Sequence, residues 1–325
     1  MLAPAPLRSL YDPAFATASS WLAVPGGHEV HVQQSGAPEG IPVVVLHGGP
    51  GSGSSPLARR FFDPQRFRII CIDQRGAGLS RPPGGVTNNS TADLLADLRA
   101  VRAQLGITRW WVVGGSWGAT LALAHALDAP DAVAGLLLRG LFLARQQDIE
   151  GFFDGAAHGR PNAWSMFEQR AVEEGVSLIE SLHRSLCGDD ARTTALHWWR
   201  WEQFLVGKPS VPDPDAAALA AQVQRYRIQS HYLRHRCWLD EPPLLERCAV
   251  LSARPTVPTL LLHGTADRIC PPEGAAALAR QLPHSRLRWI EGAGHDPTHP
   301  HMVDAMVGAL DHLAAHGCFD DGLSR

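Results

Sequence analysis

Short apolar runs without polar alternation recur along this chain, and they restrict its fold more than any other feature. Residues 43–46 are all apolar and lead into Gly48-Gly-Pro-Gly51, and residues 68–72 lead into Asp73-Gln-Arg-Gly76. Residues 110–113 lead into Gly114-Gly-Ser-Trp-Gly118 and then an Ala/Leu-rich stretch through Leu127; residues 133–138 add a fourth run. A strand with one wet face alternates polar and apolar side chains, whereas one covered on both faces does not. These runs therefore predict parallel strands between layers of helices, a doubly wound α/β sheet. Ahead of them, residues 21–24 and 28–34 flank Pro25-Gly-Gly27, which predicts an antiparallel hairpin at the sheet edge.

From about residue 144 to 250 the strand pattern disappears. Helical segments rich in Trp, Arg and His take its place, broken at Gly159-Arg-Pro161 and across 208–214. Strand-like runs return at 259–263 and 286–290, and a helix over 301–315 closes the pattern. The expectation is a discontinuous core, residues 1–143 and 251–325, split by an all-helical cap over 144–250.

The 29 basic and 32 acidic side chains of the 325-residue chain give a net charge of −3, with no block of like charge. Binding to nucleic acid or to an anionic membrane surface is disfavoured. No run reaches the roughly 18 apolar residues of a membrane span, and Pro4 and Pro6 interrupt the start of the chain. The six cysteines are scattered without a Cys-x-x-Cys pair, so neither a zinc site nor a disulfide framework is expected, and a cytoplasmic location is. Two overlapping sequons in Asn88-Asn-Ser-Thr91 matter only if the chain is secreted.

Chemistry concentrates at Gly114-Gly115-Ser116-Trp117-Gly118. A Gly-x-Ser-x-Gly pattern between a buried strand and a helix fits a nucleophile elbow, where small residues let strand and helix approach closely. A serine nucleophile needs a base, and the base an orienting acid. Asp267, past the 259–263 strand, and His295, past the 286–290 strand, follow in the order Ser, Asp, His. Alone, Asp267 reads equally well as a turn cap and His295 as one of 16 histidines in a loop. Together with Ser116 they read as a catalytic triad. The amide of Trp117 is a candidate oxyanion donor, with a second expected from the glycines of His47-Gly-Gly-Pro-Gly51; Pro50 has no N–H to give. A phosphate loop is excluded by the absence of Gly-Lys-Ser/Thr, and His28-Glu-Val-His31 is one residue short of a zinc-binding His-Glu-x-x-His.

The chain resembles the proline iminopeptidases, a branch of the α/β-hydrolase fold. The matching stretches are His47-Gly-Gly-Pro-Gly51, Phe62-Asp-Pro64, Asp73-Gln-Arg-Gly-Ala-Gly78, Gly114-Gly-Ser-Trp-Gly118, Leu138-Arg-Gly140, Pro161-Asn-Ala-Trp164, Trp198-Trp-Arg-Trp-Glu202, Arg227-Ile-Gln-Ser-His-Tyr232 and Gly292-Ala-Gly-His295. The resemblance implies Ser116, Asp267 and His295 as triad, Gly49 and Trp117 as oxyanion hole, and a short peptide or small amide or ester as substrate, with no cofactor. It also implies that Glu202 binds the substrate's α-ammonium; from composition alone, an acid on this aromatic helix face is as readily the partner of an arginine. The chain departs from the family where a second glutamate becomes Gln229, which loses a charge, and where an aromatic pair containing tyrosine becomes Phe152-Phe153. Phe142, Phe153 and Trp117 are the aromatic candidates for packing against a pyrrolidine ring, with plain core the alternative for Phe142 and Trp117.

Overall fold

In the computed structural model, which describes residues 6–13, 17–252 and 257–319, the unalternating runs become the centre of an eight-stranded sheet. Its strands are β1 (Thr17–Val24), β2 (His28–Gly36), β3 (Ile41–Leu46), β4 (Phe67–Asp73), β5 (Trp110–Gly115), β6 (Val133–Arg139), β7 (Thr259–Gly264) and β8 (Arg286–Ile290). They lie in the order β1-β2-β4-β3-β5-β6-β7-β8. β1 and β2 form the antiparallel hairpin, β2 joins β4 antiparallel, and every other pairing is parallel.

The two-residue period of each strand sorts its side chains onto two apolar layers. Val44, Leu46, Ile70, Ile72, Val112, Leu136 and Leu138 join one core, shared with α1 (Thr91–Gln104) and α2 (Trp117–Asp128). Val43, Val45, Ile69, Cys71, Val113, Leu137 and Leu260 join the other. Ser90 caps α1 through a reciprocal box: its Oγ accepts from the Asp93 N–H, and the Asp93 carboxylate accepts from the Ser90 N–H. β8 differs from the central strands. It is the sheet edge, and Arg286, Arg288 and Trp289 are exposed.

After β6 come only helices: α3 (Gln146–Phe153), α4 (Ser165–Glu174), α5 (Leu178–Cys187), α6 (Ala191–Leu205), α7 (Ala216–Arg234), and the short α8 (Leu244–Arg247) and α9 (Ala249–Ser252). The chain then returns to the sheet through β7, α10 (Pro272–Gln281), β8 and α11 (Pro300–His316), whose Met302, Met306 and Leu310 cover the second core. Residues 1–5 of the N-terminal stretch, and 253–256 at the expected boundary between cap and second core segment, lie outside the described residues. The helices after β6 are fastened to the sheet layer near Asn89. Its side chain donates to the carbonyls of Arg75 and Gly85 and accepts from Tyr232 Oη at 2.7 Å, while Thr91 Oγ1 donates to the Cys237 carbonyl at 2.6 Å.

Candidate active site

Ser116 joins β5 to α2 with φ 58° and ψ −127°, a backbone conformation that non-glycine residues seldom adopt. Its N–H donates to the Arg139 carbonyl at 2.9 Å, which ties the turn to the end of β6. The turn closes because its flanks are bare: a Cβ on Gly118 would overlap the Leu46 carbonyl, and one on Gly114 the Gly118 carbonyl. Beyond Ser116, the amides of Trp117 and Gly118 open α2 with no earlier carbonyl of the helix to bond, and that of Ala119 donates to the Ser116 carbonyl at 2.9 Å.

Asp267 lies past β7 and is buried. Its Oδ1 accepts from the amides of Ile269 at 3.0 Å and Cys270 at 2.9 Å, leaving Oδ2 for His295 Nδ1 at 2.8 Å. Burial pushes this carboxyl's pKa up, but the adjacent His295 and the Cys270 amide outweigh burial and hold it below its ordinary value. With Nδ1 donating to Asp267, the imidazole is left with Nε2 as acceptor. The His295 carbonyl in turn accepts from Arg139 Nη1 at 2.7 Å. Ser116 and His295 line one cavity of about 340 Å³, together with Gly48, Gly49, Arg139 and Cys270. In this arrangement Ser116 Oγ lies 3.9 Å from Cys270 Sγ, and it makes no hydrogen bond to His295 among the described residues. Burial raises the Cys270 thiol well above its ordinary pKa, so the thiol is protonated.

The loop carrying Gly49 is braced from behind. Trp117 Nε1 donates to Gln74 Oε1 at 2.8 Å, Gln74 Nε2 to the His47 carbonyl at 3.0 Å, and the Gln74 amide to His47 Nε2 at 3.0 Å. Burial lowers the His47 pKa and keeps the ring neutral, as that acceptor role requires. Gly49 itself has φ +112° and lines the cavity. The Trp117 ring is fully buried, packs edge-on against Tyr232 at 5.1 Å and does not line the Ser116 cavity.

Glu202, on α6, lines the cavity, and its Oε2 is taken by Arg225 Nη2 at 2.7 Å and Tyr226 Oη at 3.0 Å. Glu202 thus has the arginine partner that composition suggested, and it also faces the cavity. Gln229, one turn along α7 from Arg225, also lines it, and its buried Oε1 has no partner among the described residues. Arg225, Gln229 and Leu233 form one stripe at four-residue spacing. Phe142 lines the cavity, but Phe153 does not. Phe153 packs against Phe152, Trp164 and Trp198 at 4.8, 5.1 and 5.2 Å and borders a separate cavity. Successive residues of a helix point about 100° apart, so α3 turns Phe152 to the Ser116 cavity and Phe153 away from it.

The roles of Gln74, Arg139, Arg225, Tyr226 and Cys270 were missed by sequence reasoning. Gln74 and Arg139 stand within the motif stretches quoted above, yet nothing local names their partners. His28 and His31 remain in β2, where His31 Nδ1 meets Asp73 Oδ2 at 2.9 Å and His28 Nε2 donates to the Thr87 carbonyl at 2.8 Å.

The sheet order, the elbow after β5 and the carboxylate–imidazole pair after β7 and β8 define an α/β hydrolase. A family model described as "alpha/beta hydrolase fold" matches residues 41–301. Among solved structures, a haloalkane dehalogenase variant from Bradyrhizobium elkanii aligns with TM-score 0.63 at 22% identity, over 93% of this chain and 99% of that one, a likeness of fold. The proline iminopeptidase of Xylella fastidiosa is 39% identical over 316 residues, 94% of this chain and 99% of that protein. That of Arabidopsis thaliana is 36% identical over 321 residues, 95% of this chain and 83% of that protein. The chain belongs to the proline iminopeptidase family.

Proposed function

We propose that this protein is a cofactor-free serine aminopeptidase releasing an N-terminal residue, preferably proline, from short peptides. The observation that carries this reading is one cavity, in a chain matching these relatives nearly end to end, that holds Ser116 beside a carboxylate-backed imidazole. Ser116 Oγ turns from Cys270 toward His295, loses its proton to Nε2 and attacks the first carbonyl of the substrate. Asp267 fixes the imidazole tautomer and stabilises the imidazolium. The amides of Gly49 and Trp117 take the developing oxyanion, which is why the Trp117–Gln74–His47 brace matters. His295 then protonates the departing amine, and water attacks the acyl-enzyme by the same route in reverse. Residues 144–250 serve as cap, and residues 1–143 with 251–325 as core. Phe142 and Phe152 provide apolar wall for the side chain of the released residue. Glu202 Oε1 and the Gln229 amide meet its nitrogen.

A second reading is favoured by the Glu202–Arg225 pair and by Gln229: an esterase, amidase or acyltransferase acting on an uncharged small molecule. Hydrolysis of prolyl 4-nitroanilide, its N-acetyl form and 4-nitrophenyl acetate separates the two. The peptidase requires cleavage of the free-amine arylamide, and Ser116→Ala should abolish turnover of every substrate while the melting temperature stays unchanged. Undiminished rates in Ser116→Ala would remove the nucleophile from the scheme.

A further inference from the structure

Every carboxylate lining the Ser116 cavity already has a cation of the protein's own. Asp148 pairs with Arg145 at 2.6 Å, Asp296 with Lys208 at 2.6 Å, and Glu202 with Arg225 at 2.7 Å. The first two are held at the cavity margin by neighbours that do not depend on a substrate. The third lies where the proposed function puts the substrate's nitrogen. Arg225 itself lines the cavity, its guanidinium also reaching Gln222 at 3.3 Å, and Tyr226, fully buried and outside the lining, donates to the same Glu202 oxygen. Tyr226 is in turn stacked on Trp198 at 4.9 Å and 17°, so this oxygen is held by a rigid donor and a fixed charge. The other oxygen, Oε1, accepts nothing among the described residues, and Gln229, which lines the same cavity, carries no charge.

An ammonium entering this corner meets one negative and one positive charge at comparable range. The attraction that a lone buried carboxylate would offer is largely cancelled, because like charges repel strongly where water is scarce. What survives is hydrogen bonding: acceptors at Glu202 Oε1 and at the Gln229 amide, which any N–H can use. We infer that Arg225 is a specificity-determining residue: it stands in for the substrate's ammonium at Glu202 and so opens the site to substrates whose acyl residue is uncharged. This rests on the peptidase reading above and refines its substrate class. Free-amine peptides are accepted without the preference an unpaired glutamate would impose, and neutral amides and esters compete with them.

The test is calorimetric binding of prolinamide, a cation at neutral pH, and of its uncharged isostere cyclopentanecarboxamide, to the full chain and to variants. In Arg225→Met, the Glu202 carboxylate loses its paired cation. Prolinamide should then bind roughly tenfold tighter, the difference between a charge-assisted and a neutral contact, while cyclopentanecarboxamide changes little. Adding Glu202→Gln should erase the gain, and Arg225→Lys, which keeps the cation, should not show it. If Arg225→Met does not fold, Arg225→Gln reads the same comparison. Equal movement of both ligands, or weaker prolinamide binding in the uncharged variant, overturns the inference and leaves Arg225 a structural prop for Glu202. Failure of the unmodified protein to cleave prolyl 4-nitroanilide sinks the peptidase instead, and the binding comparison still decides the role of Arg225.

Discussion

Gly140 offers a direct way to move the proposed base without touching it chemically. It sits just after β6 with φ +52°. A Cβ there would lie 3.1 Å from both Cε1 and Nδ1 of His295 and 3.3 Å from Asp267 Oδ2. Comfortable carbon contacts begin near ~3.5 Å, so in Gly140→Ala the imidazole must retreat by a few tenths of an ångström. A 1 Å misplacement at a reacting centre costs about 10²-fold; a third of that displacement predicts a loss in kcat of roughly three- to tenfold. The backbone cost is separate: a side chain in the left-handed region costs about 1–2 kcal/mol, or a few degrees in Tm for a chain of this size. Gly317→Ala is the control, because Gly317 has φ +75° with open space around its Cβ position, at the end of α11. Both variants should melt a few degrees early, and only Gly140→Ala should lose kcat on 4-nitrophenyl acetate. Matched losses of Tm with full kcat in both would show that the His295–Asp267 pair does not set the rate.

The two adjacent phenylalanines of α3 should separate cleanly. Phe153→Ala removes a ring buried among Trp164, Trp198 and Phe152 and should cost about 3–5 kcal/mol of stability; Phe152→Ala should mainly raise KM, and the opposite pattern would reverse their assignment. His125 is fully buried, accepts from Trp110 Nε1 at 3.1 Å, and is pushed by burial down to about 4. The unfolded chain protonates this residue near 6.5 and the folded chain only near 4, so its stabilising effect is complete above 6.5 and is lost as pH falls between those values. Melting curves at pH 7 and pH 5 should differ less in His125→Gln than in the unmodified protein; identical differences would mean that His125 takes up its proton while folded.

What could be read in the sequence was what is written locally or in chain order. Strands buried on both faces leave unalternating runs, so β3 to β7 were legible, and the Gly114–Gly118 turn carries its own steric requirement in two glycines. The order of Ser116, Asp267 and His295 was legible because each follows its own strand. The contacts that shape recognition were not, since they join distant positions through the fold. Trp117 and Gln74 are 43 residues apart and Arg225 and Glu202 are 23 apart, on separate helices. Which of Phe152 and Phe153 faces the cavity depends on where α3 begins its turn, a phase the dipeptide does not contain. The Arg286–Ile290 strand read like the others, but its position at the rim leaves Arg286, Arg288 and Trp289 exposed.

Helix α7 carries two jobs a fraction of a turn apart. Tyr232 and His231 bolt it to Asn89, while Arg225, Gln229 and Leu233 look into the chamber. Transplanting this helix whole from a relative would therefore import a foreign docking surface along with the new lining. Retargeting by design should instead exchange positions 225, 229 and 233 singly, leaving the bolts in place. The same interleaving makes sugar attachment at Asn89 incompatible with the folded state, whatever compartment the chain enters, because both ends of that amide are already spoken for.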